Sequence, residues 1–226
     1  MQGRMLRILS FSFLWLLGIG AADASAFQLG AETRPADARV ENARKQTPDP
    51  AAELQTKQIV EHLKLQAGNV VADIGAGTGT FSYSLAQAVG PTGKLLAEEI
   101  DQELLDYIAE WAKEEKVNNI QTVLGEFDDP KLPTREVDLA FMHNVLHHVE
   151  HRALFLKALA TYMKPTGRIV IIDSDQEQPN ATHSEEPEFQ YSKEQVKQWM
   201  ADAGFRPVEE FPELLDRKFF FIFARR

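Results

Sequence analysis

The chain predicts an α/β fold: a doubly wound sheet of five parallel strands, completed by a C-terminal antiparallel strand pair, with helices on both faces. Between Asn69 and Ile172, short apolar runs alternate with segments of helical period, the pattern of a parallel sheet covered on both sides. Two more apolar runs, Pro207–Phe211 and Lys218–Ala224, then follow each other closely, as an antiparallel pair does. The 226 residues, 44% apolar and 26% charged, suffice for one domain with a full core.

Each element has its own signal. From Pro50 a helical face runs through Leu54, Ile59, Val60 and Leu63, and Gly68 ends that unit. Asn69 to Ile74 is the first strand, and Thr80 to Val89 a helix with Phe81, Leu85, Ala88 and Val89 on its inner face. Gly90-Pro91-Thr92-Gly93 turns the chain into a second strand, Lys94 to Ile100. Asp101 caps the next helix, whose buried face is expected to be Leu104, Leu105, Ile108 and Trp111. Ile120–Leu124 and Val137–Met142 are the third and fourth strands, followed by a helix with Leu154, Phe155, Ala158, Leu159 and Tyr162 inward. Pro165-Thr166-Gly167 is expected to turn into the fifth strand, Arg168 to Ile172. Ser192 and Gln195 form a capping box, Tyr191 and Val196 a hydrophobic staple, and Gly204 stops that helix.

The first 26 residues read differently. Arg4 and Arg7 precede an apolar run from Ile8 to Gly20, and Ala24-Ser25-Ala26 supplies an A-x-A site. These are the three parts of a secretory signal peptide, expected to be cleaved after Ala26. The run is short for a membrane span, which takes roughly 20 residues. The expected location is therefore exported, periplasmic or secreted, and cytoplasmic if the segment is not used. Residues 27–49 are polar, hold Pro35 and Pro48, and read as a flexible arm before a domain spanning 50–226.

Composition narrows the function. The net charge of −10 speaks against a nucleic-acid partner, because phosphate binding wants a basic patch. With no cysteine there is no disulfide, thiolate metal site or thiol nucleophile.

The stretch DIGAGTG, Asp73 to Gly79, sits where the first strand meets the first parallel-sheet helix. Ligands of such sheets bind beyond the carboxyl ends of the strands. The dinucleotide fingerprint G-x-G-x-x-G/A wants a small third residue, and Thr80 stands there; the lysine-containing phosphate loop is absent as well. The loop thus suits a ligand without a pyrophosphate. Glu99, at the end of the second strand, is placed to accept both hydroxyls of a ribose. Glu126 after the third strand can accept from an exocyclic amine, with Phe127 over a base edge.

Taken in order, DIGAGTG, AEEID, LGEF and DLAFMHNVLHHV resemble the successive motifs of class I S-adenosylmethionine-dependent methyltransferases, of the type 11-like kind, from about Pro50 to the C-terminus. The resemblance implies a Rossmann-like sheet, with Phe219–Phe223 in the inserted hydrophobic strand. It implies that Asp73, Gly75, Ala76, Gly77 and Gly79 hold the methionine end of S-adenosyl-L-methionine. Glu99 then holds the ribose, Ile100 lies against the adenine, and Glu126 contacts the adenine amine.

Methyl transfer from a sulfonium is an in-line displacement, so the first demand on the protein is alignment of donor and acceptor. The four histidines His143, His147, His148 and His151 invite a zinc reading, but the zincin pattern needs Glu where Asn144 stands, and no metal site is expected. His143 is the candidate to face the methyl group as a general base. The segment Asp175–Gln190 reads as an acidic lid. The acceptor is expected to be a small molecule. Two rival readings stand beside this one: a non-catalytic binding module on a methyltransferase fold, and a pyridine-nucleotide oxidoreductase.

Overall fold

β-branched and aromatic residues dominate the apolar runs, and in the structure each run becomes a strand of one sheet. The computed structural model describes residues 38–41, 43, 50–178, 190–212 and 214–226. In chain order its elements are α1 (Pro50–His62), β1 (Val70–Ile74), α2 (Ser82–Val89), β2 (Lys94–Glu99), α3 (Gln102–Glu114) and β3 (Ile120–Leu124). Then come β4 (Val137–His143), a 3-10 turn (Leu146–His148), α4 (Arg152–Ala160), β5 (Met163–Ser174), α5 (Lys193–Asp202), β6 (Phe205–Glu210) and β7 (Lys218–Arg225). The strand order is β3-β2-β1-β4-β5-β7-β6. β1 to β5 pair in parallel, and β7 runs antiparallel to both β5 and β6. The Rossmann-like doubly wound sheet with its antiparallel ending is the one expected.

Strand order reverses between β1 and β4, so the crevice for a ligand opens at their carboxyl ends. Period-two alternation sends successive side chains to opposite faces. Ala72, Ile74, Ala140, Met142, Ile169, Ile171 and the rings of Phe219, Phe221 and Phe223 build one core layer. Val71, Leu139, Phe141, Val170, Ile172, Phe220 and Ile222 build the other. Pro207 falls on β6, an edge strand, and the register to β7 shifts between Pro207 and Glu209, a bulge at an edge being where a residue without an N–H is tolerated.

The caps behave as the sequence predicts. Asp101 accepts the Glu103 N–H at 3.0 Å, and Ser192 and Gln195 exchange the two bonds of a capping box. Three expectations need correction. β5 begins at Met163 rather than Arg168: Pro165-Thr166-Gly167 bulges inside the strand, and the register to β4 jumps between Val137 and Leu139. Gly167 permits this, since a Cβ there would meet the Val137 and Lys164 carbonyls at 3.0 Å. Leu54 and Leu154 are 58% and 55% exposed, and Leu156 takes the buried place in α4. Trp111 is half-buried, with Ala112 inward instead, and its ring meets Tyr83 edge-on at 5.3 Å.

Residues 38–41 and 43 are helical where a flexible arm was expected. The rest of that arm, the signal-peptide segment Met1–Ala26 and the greater part of the Asp175–Gln190 lid lie outside the described residues. Among the described residues no helix is long and apolar enough to cross a membrane.

Candidate active site

After Ile74 the chain must leave β1 and enter α2 within a few residues. Gly75, Gly77 and Gly79 take φ of 62°, 59° and 78°, a region that costs other residues roughly 1–2 kcal/mol. Each is needed for a different reason. A Cβ on Gly75 would lie 2.6 Å from Val145 Cγ2, and one on Gly79 3.2 Å from Ile108 Cγ1, whereas one on Gly77 would meet nothing within 4 Å. Gly75 and Gly79 therefore serve close packing, while Gly77 keeps space open.

Two adjacent glutamates at the end of β2 hold the loop. Glu98 Oε2 accepts the Gly75 N–H at 3.1 Å, and its carbonyl accepts the Ala76 N–H at 2.8 Å. Glu99 Oε2 accepts the Gly77 N–H at 3.0 Å, and Oε1 its neighbour Ile100 N–H at 2.9 Å. Asp73 is buried beneath the loop and accepts a hydrogen bond from Ser82 Oγ at 2.7 Å. Burial pushes Asp73 up to about 7; the Ser82 bond opposes this and Glu99 adds to it. Burial likewise pushes Glu98 up to about 8, against the Gly75 bond and with help from Glu99 and Asp73.

Loop, β2 end and β4 end enclose a cavity of about 500 Å³. Asp73, Gly75, Ala76, Gly77, Glu99, Ile100, Glu126, Phe127 and His143 all line it, so the structure brings together residues that the sequence scatters over four strand ends. Gly79 is not on the wall; it faces Ile108 and α3. Phe127 is 79% exposed and Ile100 47%, two apolar side chains left at the rim. The Glu126 carboxylate, largely exposed, pairs with Lys131 Nζ at 3.2 Å.

His143 closes β4, and its ring packs on Phe81 at 4.7 Å. Its Nε2 receives a hydrogen bond from Lys218 Nζ at 3.0 Å. Burial and then the Lys218 charge hold its pKa down to about 4, with Asp173 opposing. A ring so weakly basic, with one lone pair already engaged, offers little as the general base expected of it. His147 and His148 lie in the 3-10 turn rather than on a helix with His143. His147 Nδ1 contacts Asp173 Oδ1 at 2.6 Å behind the cavity, while His148 is on its wall.

Sequence reasoning missed Glu98, Asn144 and Arg39 as cavity residues. Glu98 occupies an inward strand position where an apolar residue is the rule, and that anomaly was its signal. Arg39 comes from the N-terminal helical residues and sits 4.0 Å from Asp101; no motif marks it.

β7, inserted between β5 and β6, is what separates this sheet from the all-parallel dinucleotide-binding order. With the loop it defines the class of S-adenosylmethionine-dependent methyltransferases, and the family comparison agrees. The methyltransferase-domain family matches residues 65–204, and the chain belongs to that family. A demethylmenaquinone methyltransferase of Oceanobacillus iheyensis is 26% identical over 120 residues, 53% of this chain and 50% of that protein. A ubiquinone/menaquinone biosynthesis C-methyltransferase of Ectopseudomonas mendocina is 27% identical over 115 residues, 50% of this chain and 45% of that protein. The chain thus spans about half the length of the curated relatives it matches. The crystal structure of a SAM-dependent methyltransferase from Aquifex aeolicus superposes with a TM-score of 0.69 at 25% identity, over 83% of this chain and 96% of that one.

Proposed function

We propose that this chain transfers the methyl group of S-adenosylmethionine to a small-molecule acceptor, and that the acceptor is a quinol-like hydroxylated ring. The observation that carries the reading is one shared cavity, that of the β1–β4 strand ends. It joins the open face of Gly77, the Glu99 carboxylate and the apolar rim of Ile100 and Phe127. The residues fit the donor. Glu99 has carboxylate lone pairs beyond those used by Gly77 and Ile100, enough to accept ribose hydroxyls. Ile100 and Phe127 offer apolar faces to an adenine, and Asp73 and Glu98 bring acidic groups to the methionine end. The quinol class comes from the printed names of the relatives.

Bound there, the donor supplies a methyl group on a sulfonium whose leaving group departs neutral, so no general acid is required. What the chain contributes is alignment: the loop fixes one end of the donor, Glu99 the middle, and the β4 end presents the acceptor side. His143, Asn144 and Val149 wall that side and limit the water that reaches it.

Calorimetry of the purified chain tests the reading. S-adenosylmethionine and S-adenosylhomocysteine should bind with affinities on the order of micromolar, about −8 kcal/mol, and NAD should not. Binding of NAD alone would overturn it in favour of an oxidoreductase.

We propose as well that the domain acts outside the cytoplasm, after removal of Met1–Ala26. Arg4 with Arg7, the Ile8–Gly20 run and Ala24-Ser25-Ala26 support this. N-terminal sequencing from the native host should return Phe27 first; an intact Met1 end in a soluble cytosolic fraction would refute it.

A further inference from the structure

β4 and β7 bring a cation to the acceptor side of the cavity. Lys218 opens β7, and its Nζ donates to His143 Nε2 at 3.0 Å and to Asn144 Oδ1 at 2.9 Å. Both partners are neutral, and both line the cavity. Among the described residues no carboxylate pairs with this ammonium. Asp173 acts on it only from a distance, its own oxygens taken by His147 and the Ser174 N–H. Burial lowers the Lys218 pKa, with Asp173 opposing, as befits a partly desolvated cation without a close counter-charge. The backbone is bent at both ends of the contact: Asn144 has φ 57° and Arg217 φ 54°. Left-handed backbone at two non-glycine residues is held in place only where the surroundings require it.

The Lys218 bond also decides the histidine tautomer. An ammonium has only donors, so Nε2 must accept and Nδ1 must carry the ring proton. No described residue takes that Nδ1–H, and the ring is pinned on Phe81 at the cavity wall.

We propose that His143 and Lys218 form an oxyanion subsite for the acceptor: His143 Nδ1–H donates to the acceptor oxygen, and Lys218 supplies positive charge behind it. The subsite rests on the methyl-transfer reading and names its substrate class: phenols and enols, whose hydroxyl ionises, in preference to amines. The acceptor hydroxyl loses its proton to water, and the subsite holds the resulting oxyanion. The oxyanion's electron pair, used at oxygen or delivered through the ring to the adjacent carbon, forms the bond to the methyl carbon. The C–S bond breaks with its pair going to sulfur, and attack through carbon is completed by loss of that carbon's proton to water. His143 touches the acceptor, and Lys218 is a positioning residue acting through it.

4-Nitrophenol is the probe, because its phenolate has its own absorption band. Titrated into the full chain with and without S-adenosylhomocysteine, it should ionise about one pH unit lower when bound, a tenfold gain for the anion. 4-Nitroanisole, which cannot ionise, should bind at least tenfold more weakly. Lys218→Gln should remove the spectral shift and Lys218→Arg should restore most of it, while His143→Phe keeps the ring stack and loses the shift. Equal binding of the two probes, or a Lys218→Gln variant that shifts the probe like the parent, would overturn the subsite. A parent that binds no S-adenosylhomocysteine would instead overturn the methyl-transfer reading, and the titration without it would still decide the subsite.

Discussion

Glu98 Oε2 accepts the Gly75 N–H at 3.1 Å from a side chain only 2% exposed, so a carboxyl group is sealed beneath the glycine loop. Asp73, 4% exposed, lies in the same cavity wall, and Glu99 and Asp129 add negative charge nearby. Burial drives Asp73 from 3.8 to about 7 and Glu98 from 4.5 to about 8.

Both shifts are upward, so the folded chain holds protons that the unfolded chain releases. The stability they confer is full below the unfolded values and is lost as pH rises through about 7 and about 8. Thermal unfolding of the donor-free chain should show stability falling between about pH 4 and about pH 8, by up to roughly 1.4 kcal/mol per pH unit for each group. A cationic donor favours the ionised acids, so its affinity should rise over the upper part of that window, with protons released. Calorimetry in buffers of different ionisation enthalpy counts them, and Glu98→Gln should reduce the number.

Gly75 and Gly77 share a backbone conformation and should fail differently. Gly75→Ala pushes a methyl against Val145 and should cost about 1–3 kcal/mol of stability. At position 77 a Cβ meets nothing within 4 Å, so the main stability cost of Gly77→Val is the left-handed backbone, roughly 1–2 kcal/mol or more, yet its side chain enters the cavity. Denaturant melts and S-adenosylhomocysteine titrations should therefore separate the pair: the first variant weakened in folding, the second folded and unable to bind.

Glu99 ties the Gly77 N–H to the end of β2 and keeps acceptor capacity for a ligand. Glu99→Ala should weaken S-adenosylhomocysteine binding by about 1–3 kcal/mol, the range for unpaired hydrogen-bonding groups. Unchanged affinity would show that the ribose lies elsewhere.

The sheet was legible because period-two runs and turn residues act locally: Val71 and Ala72 take opposite faces whatever surrounds them. The donor side of the site was legible for a related reason. Gly75, Gly77, Glu99 and Ile100 lie at strand ends, and strand ends are readable. What escaped depends on pairings remote in sequence. Lys218 meets His143 across 75 positions, a contact set by β7 inserting beside β5, and no local pattern encodes it. Glu98 was passed over because Glu99 beside it filled the ribose role, although a glutamate at an inward strand position was itself a signal. Leu54 and Leu154 were misplaced because a helical stripe marks which residues align, and the packing partner decides which edge is covered.

Asp173 and His147 provide the last prediction. Asp173 Oδ1 accepts from His147 Nδ1 at 2.6 Å and from the Ser174 N–H at 2.8 Å, and Oδ2 from the His147 N–H at 3.2 Å. Burial alone would raise this acid; the His147 side chain and the two backbone donors outweigh burial and hold it below the usual carboxylate range. The sign is therefore opposite to that of Glu98. Asp173 contributes stability that is full above its unfolded value of 3.8 and is lost as pH falls through its folded value. Asp173→Asn replaces an accepting oxygen with an N–H that faces other donors, and should cost about 2–4 kcal/mol at neutral pH. The gap between parent and variant should narrow in strong acid, where the parent's carboxylate is protonated too. Neither residue lines the cavity, so S-adenosylhomocysteine affinity should stay within about twofold while the variant remains folded. A variant as stable as the parent at neutral pH would show that the His147 contact contributes nothing to the fold. Together with the buried acids under the loop, the dyad places the parent's greatest stability at about pH 4, above the range where Asp173 loses its charge and at the start of the fall that Asp73 and Glu98 impose as pH rises.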